Sequence, residues 1–153
     1  MKARTTTLVT VVLLVSACSP ASAMRTSVPS STAAPMPQEV AERSPLPACG
    51  IENATTQNGP WNTAGRECFR NAYQQGQPAE FVSTRLTTEG DPITTIYRVL
   101  SAGKIEVFMD TTQDKYGDQG WLRFDCKTLA SATSMAVGPD FGVDDSCTQT
   151  RIH

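Results

Sequence analysis

Between Trp61 and Gln75 the apolar and small residues fall at 61, 64, 65, 68, 69, 72 and 73, a spacing that lays one stripe along a helix. Asn62 or Thr63 can cap its start, and Gly76 stands where a closing C′ residue belongs. The stripe places Cys68 with Ala64, Ala72 and Trp61 on the buried side, and packing accounts for the Trp61, Phe69 and Tyr73 set without a cofactor. The pattern then changes to β-branched and aromatic runs between turn signals. These predict strands over residues 80–86, 93–100, 105–110 and 121–129, with a short last strand around Phe141-Gly142-Val143.

If Leu100 faces Ile105 across the tight Ser101–Lys104 loop, then Ile96, Leu100, Ile105, Val107 and Met109 share the face that meets the helix. Tyr97, Val99, Glu106 and Phe108 take the other face, with Tyr97 and Phe108 as a cross-strand aromatic pair. In the fourth strand Leu122, Phe124 and Cys126 point inward. The expected architecture is α+β: one amphipathic helix on an antiparallel four-stranded meander over residues 49–153.

The chain ahead of that domain has a different texture. From Ser19 to Ala48 it is rich in Ser, Ala, Thr and Pro, and Pro20, Pro29, Pro35, Pro37, Pro45 and Pro47 are more than half of the chain's 10 prolines. No period persists, so residues 18–48 read as a disordered, partly extended linker. Such a spacer spans roughly 30 Å as a coil and about 90 Å as polyproline II.

Met1-Lys2-Ala3-Arg4 is a basic opening, and Leu8 to Val15 is an apolar run of signal-peptide length, too short for a comfortable bilayer span. The string Val15-Ser16-Ala17-Cys18 resembles the lipobox of bacterial lipoprotein signal peptides. That resemblance implies that residues 1–17 are removed and that Cys18 becomes an acylated first residue. The protein is then expected on the extracytoplasmic face of the cell membrane, with the bilayer as its partner. An ordinary secretory cleavage after Ala23, following Ala21-Ser22-Ala23, is the alternative.

Cysteine usage bears on the same question. There are 5 cysteines, an odd number, and setting Cys18 aside leaves Cys49, Cys68, Cys126 and Cys147, an even set suited to two disulfides outside the cytoplasm. Four cysteines allow three connectivities. The preferred one is local, Cys49 with Cys68 and Cys126 with Cys147, each closing a loop worth roughly 3 kcal/mol in the chain-entropy model. Zinc is disfavoured because no C-x-x-C pair or supporting histidine is present.

Charge and composition mainly exclude. The chain carries 13 basic and 15 acidic residues, and losing Lys2 and Arg4 with the leader makes the rest more acidic, so nothing matches a phosphate backbone and no nucleic acid is expected. The single histidine is the terminal His153, which removes histidine general-base chemistry. Asn53-Ala54-Thr55 fits a glycosylation sequon and reads as chance in a bacterial lipoprotein.

Two segments carry more than packing: Thr87-Thr88-Glu89-Gly90-Asp91-Pro92-Ile93 and Asp110-Thr111-Thr112-Gln113-Asp114-Lys115-Tyr116-Gly117. Together they resemble an uncharacterised domain of Gram-positive secreted proteins and lipoproteins, over about Val82 to Cys126. The resemblance implies no activity and no catalytic residue. Glu89, Asp91, Asp114 and Asp118 have a plain reading as turn formers, whose carboxylates accept local backbone N–H groups. In the sharper reading the two turns lie at one end of the sheet, and Glu89, Asp91, Asp110, Asp114 and Asp118 gather around Ca2+. No EF-hand spacing accompanies them, and no cofactor is expected apart from this Ca2+ reading.

Function is accordingly expected to be that of a non-enzymatic lipoprotein whose domain binds an unspecified protein or ligand. Tyr97, Val99 and Phe108, flanked by Arg98 and Glu106, form the face expected to do so. The alternatives are a small metal-assisted hydrolase using the acidic turns and a structural envelope lipoprotein.

Overall fold

The computed structural model describes residues 35–57, 59–129 and 142–153. The leader, Cys18, the alternative cleavage point and the first part of the linker lie outside the described residues, as does Phe141. Among the described residues no helix is long and apolar enough to cross a membrane.

The fold is α+β and mostly sheet. In chain order it comprises α1 (Gln38–Ala41), β1 (Ala48–Asn53), α2 (Thr63–Gln75), β2 (Ala79–Leu86), β3 (Pro92–Val99), β4 (Ile105–Asp110), β5 (Trp121–Cys126) and β6 (Cys147–Ile152). The strands form one six-stranded sheet in sequence order. β2 to β6 run as an antiparallel meander, whereas β1 pairs parallel to β2. A parallel neighbour needs a crossover, and α2 supplies it. The expected four strands are thus all present, and two are added at the edges. β1 contains Gly50 in a bulge and β6 reads CTQTRI, so neither shows the apolar alternation that marks a strand in sequence.

α2 begins and ends as its sequence predicts. The Asn62 side chain accepts from the Gly65 amide at 2.9 Å, and Gly76 closes the helix in the left-handed region at φ 63°. Its buried residues are Gly65, Arg66 and Phe69, while Ala64 and Cys68 are exposed, so the helix is rotated from the expected stripe. Two contacts set that rotation. Gly65 lies so close to β1 that an added Cβ would stand 2.9 Å from the Cys49 carbonyl oxygen. One turn further, Phe69 stacks on Phe81 and Tyr97 at centroid separations of 6.3 and 6.1 Å.

The sheet is buried on both faces. Phe69, Phe81, Tyr97, Val99, Ile105, Val107 and Phe124 form the core beneath α2. On the opposite face Val40 of α1 packs with Ile96, Phe108 and Trp121. Residues 35–47, expected to belong to the linker, therefore include a folded strap, with the Val40 side chain fully buried. The linker reading fails there because Pro-rich spacing hides a single apolar anchor.

Register explains the remaining differences. Leu100 closes the β3–β4 turn through its amide to the Lys104 carbonyl at 2.7 Å, so Val99, not Leu100, pairs with Ile105. This one-residue slip exchanges the faces of β3. Tyr97 and Val99 lie under α2, and Ile96 pairs with Phe108 on the other side. Tyr97 and Phe108 are consequently not a cross-strand pair. β4 and β5 keep their expected faces. The last strand is Cys147–Ile152, and Gly142 makes an isolated bridge.

The disulfides are Cys49–Cys68 and Cys126–Cys147. The first fastens α2 to β1. The second joins directly opposed residues of β5 and β6.

Candidate functional site

At one end of the sheet the β2–β3 turn and the β4–β5 loop come together. The turn is closed by the Thr87 amide to the Asp91 carbonyl at 2.8 Å, with the Thr87 hydroxyl accepting from the Asp91 amide at 3.0 Å. Asp91 is 3% exposed and reaches the loop, its Oδ2 accepting from the Lys115 amide at 3.0 Å and its Oδ1 lying 2.5 Å from Lys115 Nζ. The Lys115 ammonium and amide hold the Asp91 carboxyl below the usual carboxylate range, and Asp91 in turn raises the Lys115 ammonium.

The two motif segments therefore meet, through an ion pair. Asp114 Oδ1 accepts from the Tyr116 and Gly117 amides, and Asp110 Oδ1 from the Thr112 amide. The side chains of Glu89 and Asp118 extend from exposed positions. No three carboxylates, cysteines or histidines gather in a metal-holding group among the described residues. The expected carboxylate cluster does not assemble among the described residues: backbone N–H groups and Lys115 take up oxygens of Asp91, Asp110 and Asp114, while Glu89 and Asp118 stand exposed.

The expected binding face is also taken apart by the register. Tyr97, Val99 and Phe108 are 4%, 1% and 1% exposed, and Phe108 lies on the face opposite the other two. Burial pushes the Tyr97 phenol above its ordinary value, which keeps it neutral.

Across the strap-covered face runs a ladder of charge that single-strand patterning does not reveal. Glu80, Arg98, Glu106 and Asp125 are successive cross-strand partners on β2 to β5. Arg98 joins Glu80 at 3.0 Å, Glu106, and the Ser44 carbonyl of the strap. Arg43 forks onto both Glu80 oxygens at 2.9 and 3.0 Å, and Arg123 contacts Glu106 at 3.2 Å. A groove of about 510 Å3 opens over this network, yet its arginines and the glutamates they contact are already matched to one another. Its chemistry is that of a latch for the strap.

Beneath α2 a second network is closed more tightly. Glu52 receives Arg66 Nε at 2.6 Å, Arg66 Nη2 at 2.7 Å, the Ser83 hydroxyl at 2.8 Å and the Asn62 amide at 2.8 Å. Burial opposes ionisation of Glu52, but these hydrogen bonds outweigh it and hold the carboxyl below its usual range. Trp61 lies over the Arg66 guanidinium at 4.5 Å.

Past Trp61, on the helix-covered face of the sheet, the described residues leave an opening. There Arg85, Ile93 and Met109 floor a groove of about 390 Å3, walled by Trp61, Gln57 and the residues 86–88 that lead into the acidic turn. Sequence reading passed over Arg85 because a charge at the end of a strand is usually a solvated one. The helix pattern gives Trp61 a packing role, yet Trp61 is only half-buried.

Comparisons with protein-family models, with curated proteins and with solved structures found no match to this chain.

Proposed function

We propose that this is a lipid-anchored, extracytoplasmic binding protein: a disulfide-stapled domain held on the membrane through acylated Cys18 and a Pro/Ser/Ala-rich tether. The observation that carries the reading is the use of cysteine. Cys49, Cys68, Cys126 and Cys147 are all consumed in disulfides, and Cys18 alone is left over, inside a string that resembles a lipobox. Two disulfides suit an oxidising compartment, where a spare thiol needs a separate role. Acylation provides one, and two or more acyl chains hold a protein on a bilayer where one does so only marginally.

The domain reads as a binder because its polar clusters have structural partners. Asp91, Asp110 and Asp114 hold turns, while Glu52, Glu80 and Glu106 hold arginines. Fractionation of cells expressing the full chain or its Cys18→Ser variant tests the anchored reading. The wild-type chain is expected with the membrane, its mature N-terminus an acylated Cys18, and the variant is expected to leave that fraction. A mature chain that starts unacylated at Met24 would overturn it.

A further inference from the structure

We infer that the groove between Trp61 and Arg85 takes the free C-terminal end of a peptide, its carboxylate on the Arg85 guanidinium and its apolar terminal side chain against Ile93 and Met109. The inference rests on the reading of this domain as a binding protein and names the chemistry of what it binds.

Arg85 is the first reason. Every other described arginine lies within 4.0 Å of a carboxylate. Arg85 is half-buried, and no described residue pairs or hydrogen-bonds with it. Among the described residues, no aspartate or glutamate lines its groove. A guanidinium partly removed from water and left without an anion presents a fork of donors that matches a carboxylate in two parallel hydrogen bonds. The charge of the groove thus selects an anion.

The remaining lining selects the anion's body. A groove of about 390 Å3 is at the small end of ligand sites. Its apolar floor is formed by the Ile93 and Met109 side chains, a surface that suits one aliphatic group. A sugar would need several uncommitted polar side-chain atoms around its ring. The Gln57 amide nitrogen is already donated to the Thr87 and Thr88 carbonyls at 3.1 and 3.0 Å, and the Thr87 hydroxyl already accepts from Asp91. A terminal residue with one apolar side chain and a free carboxylate fits both halves.

Placement is the third reason. β2 brings Arg85 onto the same sheet face as Phe81, and its register opposite Ile93 sets the guanidinium beside the apolar floor. The β2–β3 turn that walls the groove is pinned from the far side by Asp91 and Lys115. The site is thereby built on strands and a braced turn.

The test titrates the full chain, purified in detergent, with N-acetyl-leucine and with its neutral twin N-acetyl-leucinamide. Binding is followed by NMR through the Trp61 indole N–H and the Arg85 Nε–H, with the Trp121 indole on the opposite face as an internal control. N-acetyl-leucine is expected to shift both groove signals saturably, and the amide to bind about tenfold more weakly or less. Arg85→Gln is expected to abolish that difference, while Arg151→Gln retains it. Equal binding of acid and amide, a preference that survives in Arg85→Gln, or no saturable shift with either compound overturns the inference. Octanoate forms a further arm. Tighter binding of octanoate than of N-acetyl-leucine would assign the groove to an acyl carboxylate and also overturn it. Failure here, with the chain still in the membrane fraction, sinks this inference alone. Loss of the chain from that fraction sinks the anchored reading and leaves the titration to stand by itself.

Discussion

Glu52 of β1 and Arg66 of α2 meet in a two-pronged ion pair, 2.6 and 2.7 Å long, with side chains 0% and 5% exposed. The pair ties the helix to β1 beside the Gly65 and Phe69 contacts that set its rotation. Removing one member of such a buried pair strands the other charge, which costs about 3–5 kcal/mol. Arg66→Met should lower the unfolding free energy by that amount, read as a lower urea midpoint at unchanged slope, and adding Glu52→Gln should recover part of it. A midpoint equal to wild type in the single variant would show that the pair does not hold the helix.

Asp91 and Lys115 supply a pH-dependent link between the two motif segments. The folded carboxyl is depressed below its unfolded value, so its contribution to stability is fully present above about pH 4 and is lost as pH falls through the lower folded value. The protection of the Lys115 amide, the factor by which its exchange is slowed relative to the unfolded chain at the same pH, should therefore be high at neutral pH and fall in acid. Asp91→Asn should show the low protection at every pH, and identical protection in the two proteins at pH 7 would refute the link.

The strap is testable through Val40, whose side chain is fully buried against Ile96, Phe108 and Trp121. Val40→Ala should cost about 1–3 kcal/mol, the range expected for deleting buried methyl groups and leaving a partial void. Trp121 fluorescence should shift to the red as water reaches that face. A variant as stable as wild type would return residues 35–47 to the linker.

The disulfides divide the labour of holding the edges. Each joins cysteines separated by about twenty positions, 19 for Cys49–Cys68 and 21 for Cys126–Cys147, and each should contribute roughly 3 kcal/mol by restricting the unfolded chain. Replacing Cys126 and Cys147 together by serine should lower stability by that amount and raise exchange in β6 first. Replacing Cys49 and Cys68 should do so in β1 and α2. Equal loss throughout the domain in both variants would argue against this division.

Local signals made much of this protein readable in advance. The caps of α2 at Asn62 and Gly76, the strands of the central meander and the local cysteine pairing all follow from patterns within about twenty residues of chain. The edge strands were not legible, because Cys147–Ile152 is polar at all four of its inner residues and gains its strand character only by pairing with β5. The strap was missed for a related reason: Val40 is one apolar residue among prolines, and its burial depends on a sheet face formed much later in the chain.

What the amino-acid sequence determined alone was the set of elements with strong local periods, the turn positions, and a cysteine count that sets Cys18 apart. Tertiary structure decided how those elements face one another. One residue of register at the β3–β4 turn moved Tyr97 and Val99 under the helix, and with them the expected binding face. Asp91, instead of joining four other carboxylates, became the partner of Lys115. Arg85 acquired significance only because every other described arginine found a carboxylate and it did not. Such outcomes depend on which charges and faces meet across long stretches of chain, and no local period encodes that meeting.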